Sequence, residues 1–178
     1  MKLKPFPVSD VYRLIEPGPV VLVTTHQGSK DNVMTMAWHT MMEFTPSLIG
    51  CVIGESDYTF GLIKATKECV IAVPTMELAA KVVKVGNGSG KHLDKFQKFG
   101  LAKLPAAQVK APLLADCYAN LECKVVDTTW VKKYNFFVLK VVRAWIDPTK
   151  KNPKFLHHVG TGKFIVDGRT IKVPWHKK

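Results

Sequence analysis

With 178 residues, 47% of them hydrophobic and 22% charged, the chain can bury one sizeable core and is excluded by composition from the fibrous and disordered classes. Its formal charge of +12 favours anionic partners: phosphorylated cofactors, nucleotides or nucleic acid. No apolar run reaches the roughly 18 residues of a membrane helix and residues 1–7 lack the apolar stretch of a secretory signal, so the expectation is a single cytoplasmic domain over 1–178 with no membrane partner.

Residues 20–25 are a β-branched, apolar run ending in the hydrophilic turn His26-Gln-Gly-Ser-Lys-Asp31, and residues 32–40 resume the strand, which predicts a hairpin. The apolar run 48–53, between Pro46 and Gly54, reads as a fully buried strand. Ser56 or Asp57 then caps a predicted helix over 58–66, where Tyr58, Leu62, Ile63 and Ala65 keep approximately helical spacing. A strand over 70–73 stops at Pro74, a helix over 77–85 stops at Gly86-Asn-Gly-Ser-Gly90, and a short helix over 93–99 stops at Gly100. Residues 105–112 read as a loop. Strands over 119–128 and 134–146 should pair as a long hairpin, and Asp167-Gly168 predicts another between 164–166 and 169–173. Strands joined by tight turns and interrupted by two or three helices predict a mainly β fold, a closed or nearly closed antiparallel barrel.

Four cysteines, Cys51, Cys69, Cys117 and Cys123, form no C-x-x-C pair and read as small core hydrophobes, with Cys51 and Cys117 the candidates for a reactive thiol. The histidines form no H-E-x-x-H and no zinc spacing is present, so no metal site is expected. Seven lysines against one acid between 81 and 110 make the most electropositive stretch, yet it lacks the interleaved aromatics of a base-stacking platform. Gly86-x-Gly-x-Gly-Lys91 follows a helix and is not a nucleoside-triphosphate loop, although it can carry Lys91 to a phosphate bound elsewhere.

Residues 32–66 are the segment that proposes a ligand. Thr35 and Ala37 are small enough for the backbone to approach a planar ring, and Met34, Met36 and Trp38 supply apolar walls; the competing reading is an ordinary half-buried strand. Ser56, Tyr58 and Thr59 stand at a helix start, where amides and hydroxyls suit phosphate, against the competing reading of a plain cap. The charge of Asp57 opposes an anion there.

In order and spacing, Asn32-Val-Met-Thr-Met-Ala-Trp38, Pro46, the 48–53 run, Ser56-x-Tyr58-Thr59 with Ile63, the strand ending at Pro74, and Ser89-Gly90-Lys91-x-x-Asp94-Lys95-Phe96 resemble the flavin reductase-like FMN-binding split barrels, with the flavoredoxins as the nearest branch. The resemblance spans about residues 15–165. It implies an antiparallel Greek-key split β-barrel, a homodimer, and one FMN per subunit near the dimer interface. It also implies that Asn32, Thr35, Met36, Ala37 and Trp38 belong to the flavin segment, the last four lining the isoalloxazine, with main-chain groups of Val52 and Ile53 alongside the ribityl chain. By the same resemblance Ser56, Tyr58 and Thr59 hold the phosphate, Ser89 and Lys91 close over it, and Phe164 approaches from the far side. Many relatives carry Arg or Lys near the phosphate where this chain has Asp57, which shifts neutralisation to Lys91. The implied function is electron transfer from NADH or NADPH, or from a redox protein, through FMN to an acceptor, with no side-chain acid or base required. Two alternatives stand beside it: an electron carrier without nicotinamide activity and, from another class, a basic nucleic-acid-binding barrel.

Overall fold

The computed structural model describes residues 18–171. Its strands are β1 (Val21–Gln27), β2 (Lys30–Met36), β3 (His39–Phe44), β4 (Ser47–Val52), β5 (Glu68–Val73), β6 (Lys103–Leu104), β7 (Leu113–Leu114), β8 (Ala119–Asp127), β9 (Phe136–Ile146), β10 (Leu156–His158) and β11 (Phe164–Val166). The helices are α1 (Tyr58–Thr66), α2 (Ala79–Gly86), α3 (Lys95–Phe99) and the single turn α4 (Val131–Tyr134), and a 3-10 turn at Met76–Leu78 leads into α2.

Seven strands make one antiparallel sheet in the order β2-β1-β5-β8-β9-β4-β3. Only Ala37 and Trp38 separate its two edge strands, β2 and β3, in sequence. Laid flat, six steps of about 4.8 Å would put those edges about 29 Å apart. Three virtual bonds of about 3.8 Å, from residue 36 to residue 39, reach at most about 11 Å. The sheet must therefore curl until its edges meet, and the split of the barrel falls at residues 37–38.

Alternation along β1 divides the core into two layers. Val21 and Val23 point into the barrel with Ile49, Cys51, Ile71, Phe137 and Leu139, where α1 adds Phe60 and Ile63. Val20 and Leu22 point outward beneath Val82 and Val85 of α2 and Phe96 of α3. Buried on both faces, β1 reads as an unbroken apolar run, as central strands do. On the barrel's outer side Gly50 lies under Phe136, whose ring would come within 2.4 Å of an added Cβ.

The mainly β, split-barrel architecture and the 119–146 hairpin agree with expectation, the latter as β8 and β9 in antiparallel register. Other local expectations are corrected. The strand foreseen over 32–40 is two strands, broken where the chain crosses the split. The Asp-Gly hairpin does not form as foreseen: β11 pairs with β10, and residues 167–171 are not strand, because the Asp167 carboxylate turns back to accept from Phe155 N–H at 3.0 Å and to bind His157 Nε2 at 2.6 Å. Residues 172 and 173 of that expectation lie outside the described residues, as do residues 1–7. Cys51 and Cys117 are not the reactive thiols left open above: both are buried, and burial pushes each up to about 12. Cys69, hydrogen-bonded to Cys123 on the facing strand and buried with it, is also raised. No helix among the described residues is long and apolar enough to cross a membrane.

Candidate functional site

At the split, the surface opens into a cleft with two lobes. The first, about 440 Å³, has Thr35, Met36, Ala37 and Trp38 on one side, Val52 at its floor, and His158 and Phe164 from the β10–β11 hairpin opposite. The second, about 280 Å³, is bounded by Asn32, Ser56, Tyr58, Thr59, Ser89 and Lys95. Met34, Thr35, Asp57, Gly86 and Asn87 border both, so the lobes are one continuous cleft of ordinary ligand-site size.

Local bonding fixes the walls of the larger lobe. The link between the edge strands is pinned where Val52 N–H donates to Trp38 O at 3.0 Å. The Thr35 hydroxyl donates to Val82 O at 2.7 Å, drawing α2 against β2. Gly86 lies against Thr35, where an added Cβ would stand 3.4 Å from Thr35 Cβ, in ordinary contact. His158 and Phe164 are cross-strand partners with ring centroids 5.5 Å apart, so the hairpin presents them together. Methionine, tryptophan and this aromatic pair thus line one lobe together, surfaces of the kind a planar ring packs against.

Charge and donors gather in the smaller lobe. At the start of α1 the Asp57 side chain makes no capping bond, and only the Phe60 amide turns back, donating to Asp57 O at 2.9 Å. The first-turn amides are therefore free for an anion. Asn32 is 3% exposed; its Nδ2 donates to Thr59 Oγ1 at 2.9 Å, while its Oδ1 is buried without a partner and lies so close to Gly90 that an added Cβ would sit 1.8 Å away. Exchanging the amide O and N, which are isosteric, lets Thr59 donate to Asn32 and turns an N–H₂ toward the Gly90 side of the lobe.

Lys95 supplies the cation. Asp94 caps α3 by accepting from Gln97 N at 3.0 Å, and this sets Lys95 and Phe96 inward. The buried Lys95 Nζ donates to Val33 O at 2.9 Å and Val85 O at 2.8 Å, which leaves its third proton for the lobe. Burial pulls its pKa below the ordinary lysine value, and the nearby Asp57 carboxylate opposes that shift. Asp57 thus borders both lobes with Lys95 as its counter-charge.

Eleven of the thirteen residues named from sequence line one lobe or the other. Ile53 does not; its side chain is in the barrel core and its amide donates to Asn135 O. Lys91 does not either: its side chain is exposed, and its backbone is what the loop uses, the amide donating to Ser89 Oγ and the carbonyl accepting from Lys30 Nζ. Sequence reasoning missed Lys95, His158 and Asn87. Asp94 as a helix cap was the available signal for Lys95, because it fixes which lysine of the cluster turns inward; no signal pointed to His158.

The flavin reductase like domain model matches residues 12–163. An uncharacterized protein of Archaeoglobus fulgidus is 39% identical over 140 residues, 75% of this chain and 79% of that one. The FMN-binding domain of a flavin reductases-like enzyme from Shewanella baltica superposes with a TM-score of 0.83 at 27% identity, covering 95% of this chain and 96% of that one. The flavoredoxin of Desulfovibrio vulgaris superposes with a TM-score of 0.84 at 22% identity, covering 97% of each chain.

Proposed function

The chain belongs to the flavin reductase like domain family, and from that premise we propose that its cleft binds FMN and that the protein passes electrons from a reduced nicotinamide, or from a redox protein, to an acceptor. The observation that carries the reading is the smaller lobe, where a buried lysine with a spare proton, a buried asparagine with an unpartnered amide atom and the open start of α1 converge. Such a set suits a dianionic phosphate: two carbonyls hold the ammonium in place and its third proton is left for the anion.

When bound, FMN supplies the two-electron chemistry at its ring. The chain's residues do the rest. Lys95, Asn32 and the amides of Tyr58 and Thr59 hold the phosphate, with Ser56 and Ser89 hydroxyls at the rim. Thr35 to Trp38 and Val52 would line the ring, and His158 with Phe164 would pack against it from the β10–β11 hairpin and exclude water.

A homodimer is part of the proposal. The edge strand β3 leaves Met41, Met42 and Phe44 exposed, the last 86% exposed, and such apolar side chains on an edge strand are what a second copy would cover. Purified protein should be yellow, or should become so on addition of FMN with quenching of flavin fluorescence. A protein that stays colourless and leaves added FMN fluorescent overturns the reading. Anaerobic mixing with NADH or NADPH then separates the donors: bleaching identifies a nicotinamide reductase, and no bleaching at millimolar nicotinamide identifies the electron carrier.

A further inference from the structure

Trp130, the N-cap of α4, and Tyr134 at its end are 49% and 52% exposed, with ring centroids 5.7 Å apart and planes at 30°. Tryptophan and tyrosine dominate the energetics of protein interfaces, and two of them stacked in water is surface that a partner would gain by covering. Beside them a pocket of about 460 Å³ has Phe60 and Val131 at its apolar floor and Lys64, Lys67 and Lys132 at its rim, against the one carboxylate of Glu55. Lys133 adds a fourth cation, its Nζ 5.0 Å from the Tyr134 ring centroid.

We infer that this surface docks an acidic protein, with an apolar side chain of the partner seated on Phe60 and Val131 and its carboxylates on the lysine rim. Three observations choose this occupant. Nucleic acid would need a row of open aromatic faces for stacking, but here two rings stack on each other and Lys133 lies over one of them, which leaves no such row. A second copy of this +12 chain would bring lysine rim against lysine rim, whereas β3 offers a self-complementary apolar edge. An aromatic centre ringed by one sign of charge is the form that steers an oppositely charged protein into register.

The place of the patch connects it to the cleft. Asn135, the residue that ends α4, accepts from Ile53 N–H at 3.1 Å, and Glu55 on the pocket rim directly precedes Ser56 and Asp57 of the smaller lobe. Residues 54–57 thus run from one surface to the other. That the acidic partner is a redox protein rests on the proposed flavin function; that it is acidic does not.

The test is titration of the FMN-loaded protein against a fluorescently labelled small acidic ferredoxin, at low salt and at about 0.3 M salt, followed by anisotropy. The wild type should bind with an affinity that falls as salt screens the rim. Trp130→Ala and the double variant K132E/K133E should each weaken binding tenfold or more, while FMN affinity and sedimentation behaviour stay as in the wild type. Absence of binding by the wild type, or equal binding by both variants, overturns the inference. So does dissociation of a dimer by Trp130→Ala, or protection of Trp130 fluorescence by a single-stranded oligothymidylate or by phosphatidylglycerol vesicles in place of the ferredoxin. A colourless protein that still binds the ferredoxin through this surface defeats the flavin reading and leaves the docking surface standing.

Discussion

Lys95 is held by two backbone carbonyls and buried beside the smaller lobe, so its charge is oriented before any ligand arrives. Replacing it with methionine should weaken FMN binding by about 1.5–3 kcal/mol, the range for charge-assisted hydrogen bonds. Riboflavin, which lacks the phosphate, should bind the variant and the wild type alike, and equal FMN affinity in both proteins refutes the assignment. Lys91→Ala should leave the FMN dissociation constant within about twofold, since that side chain faces water. The sign with pH follows from the same geometry: burial lowers the Lys95 pKa, the anion favours the protonated form, and FMN affinity should therefore fall as pH rises toward and through a value below that of a free lysine. Fluorescence titrations from neutral to alkaline pH check it, with Lys95→Met showing no such fall. Gly90→Ala should disturb the same lobe sterically, because the methyl would overlap Asn32 Oδ1. Residue types of the lobe were legible in the sequence, from Asn32 to Thr59, but the choice between Lys91 and Lys95 was not. Seven lysines lie within thirty residues, and only the Asp94 cap and the tertiary contact with Val33 decide which is buried.

Among the elements, the 105–112 loop shows how a segment without regular structure is fixed. Glu122, fully buried on β8, accepts from the amides of Ala107, at 3.1 Å to each oxygen, and of Val109, at 3.2 Å, from Gln108 at 2.5 Å, and from Trp145 Nε1 at 2.7 Å. Burial alone would raise this carboxyl's pKa; the indole and the three amides outweigh it and leave the value lowered. A lowered carboxylate stabilises the fold above its unfolded pKa, and that contribution is lost as pH falls through the ordinary glutamate range and below. Glu122→Gln should cost about 1–3 kcal/mol in urea denaturation at neutral pH, and its stability should vary less with acidification than that of the wild type. An unchanged acid limb would show that the loop does not depend on the charge. Pro105 and Pro112 mark a loop, yet its anchor lies 13 to 15 residues on, beyond β7, and no local pattern encodes such a pairing. The break in the 32–40 run escaped notice for a related reason: Ala37 and Trp38 have the composition of a strand, and only sheet closure requires the chain to cross there.

For the molecule as a whole, two exposed surfaces of different character share one barrel. The β3 edge is apolar, and Phe44→Glu, at a position contributing nothing to the core, should shift sedimentation from dimer to monomer without lowering thermal stability at equal FMN saturation. An unchanged sedimentation coefficient excludes β3 as the self-interface. The cysteines lead to a different kind of consequence. All four are free and buried within the two core layers. A thiol reagent such as Ellman's disulfide can therefore colour only molecules that have opened, and the rate of colour release becomes a clock for excursions from the native state. Three of the sulfurs lie inside the barrel and Cys117 lies in the outer layer beneath α2, so a fast single-sulfur phase before a slower triple one would time the two layers separately.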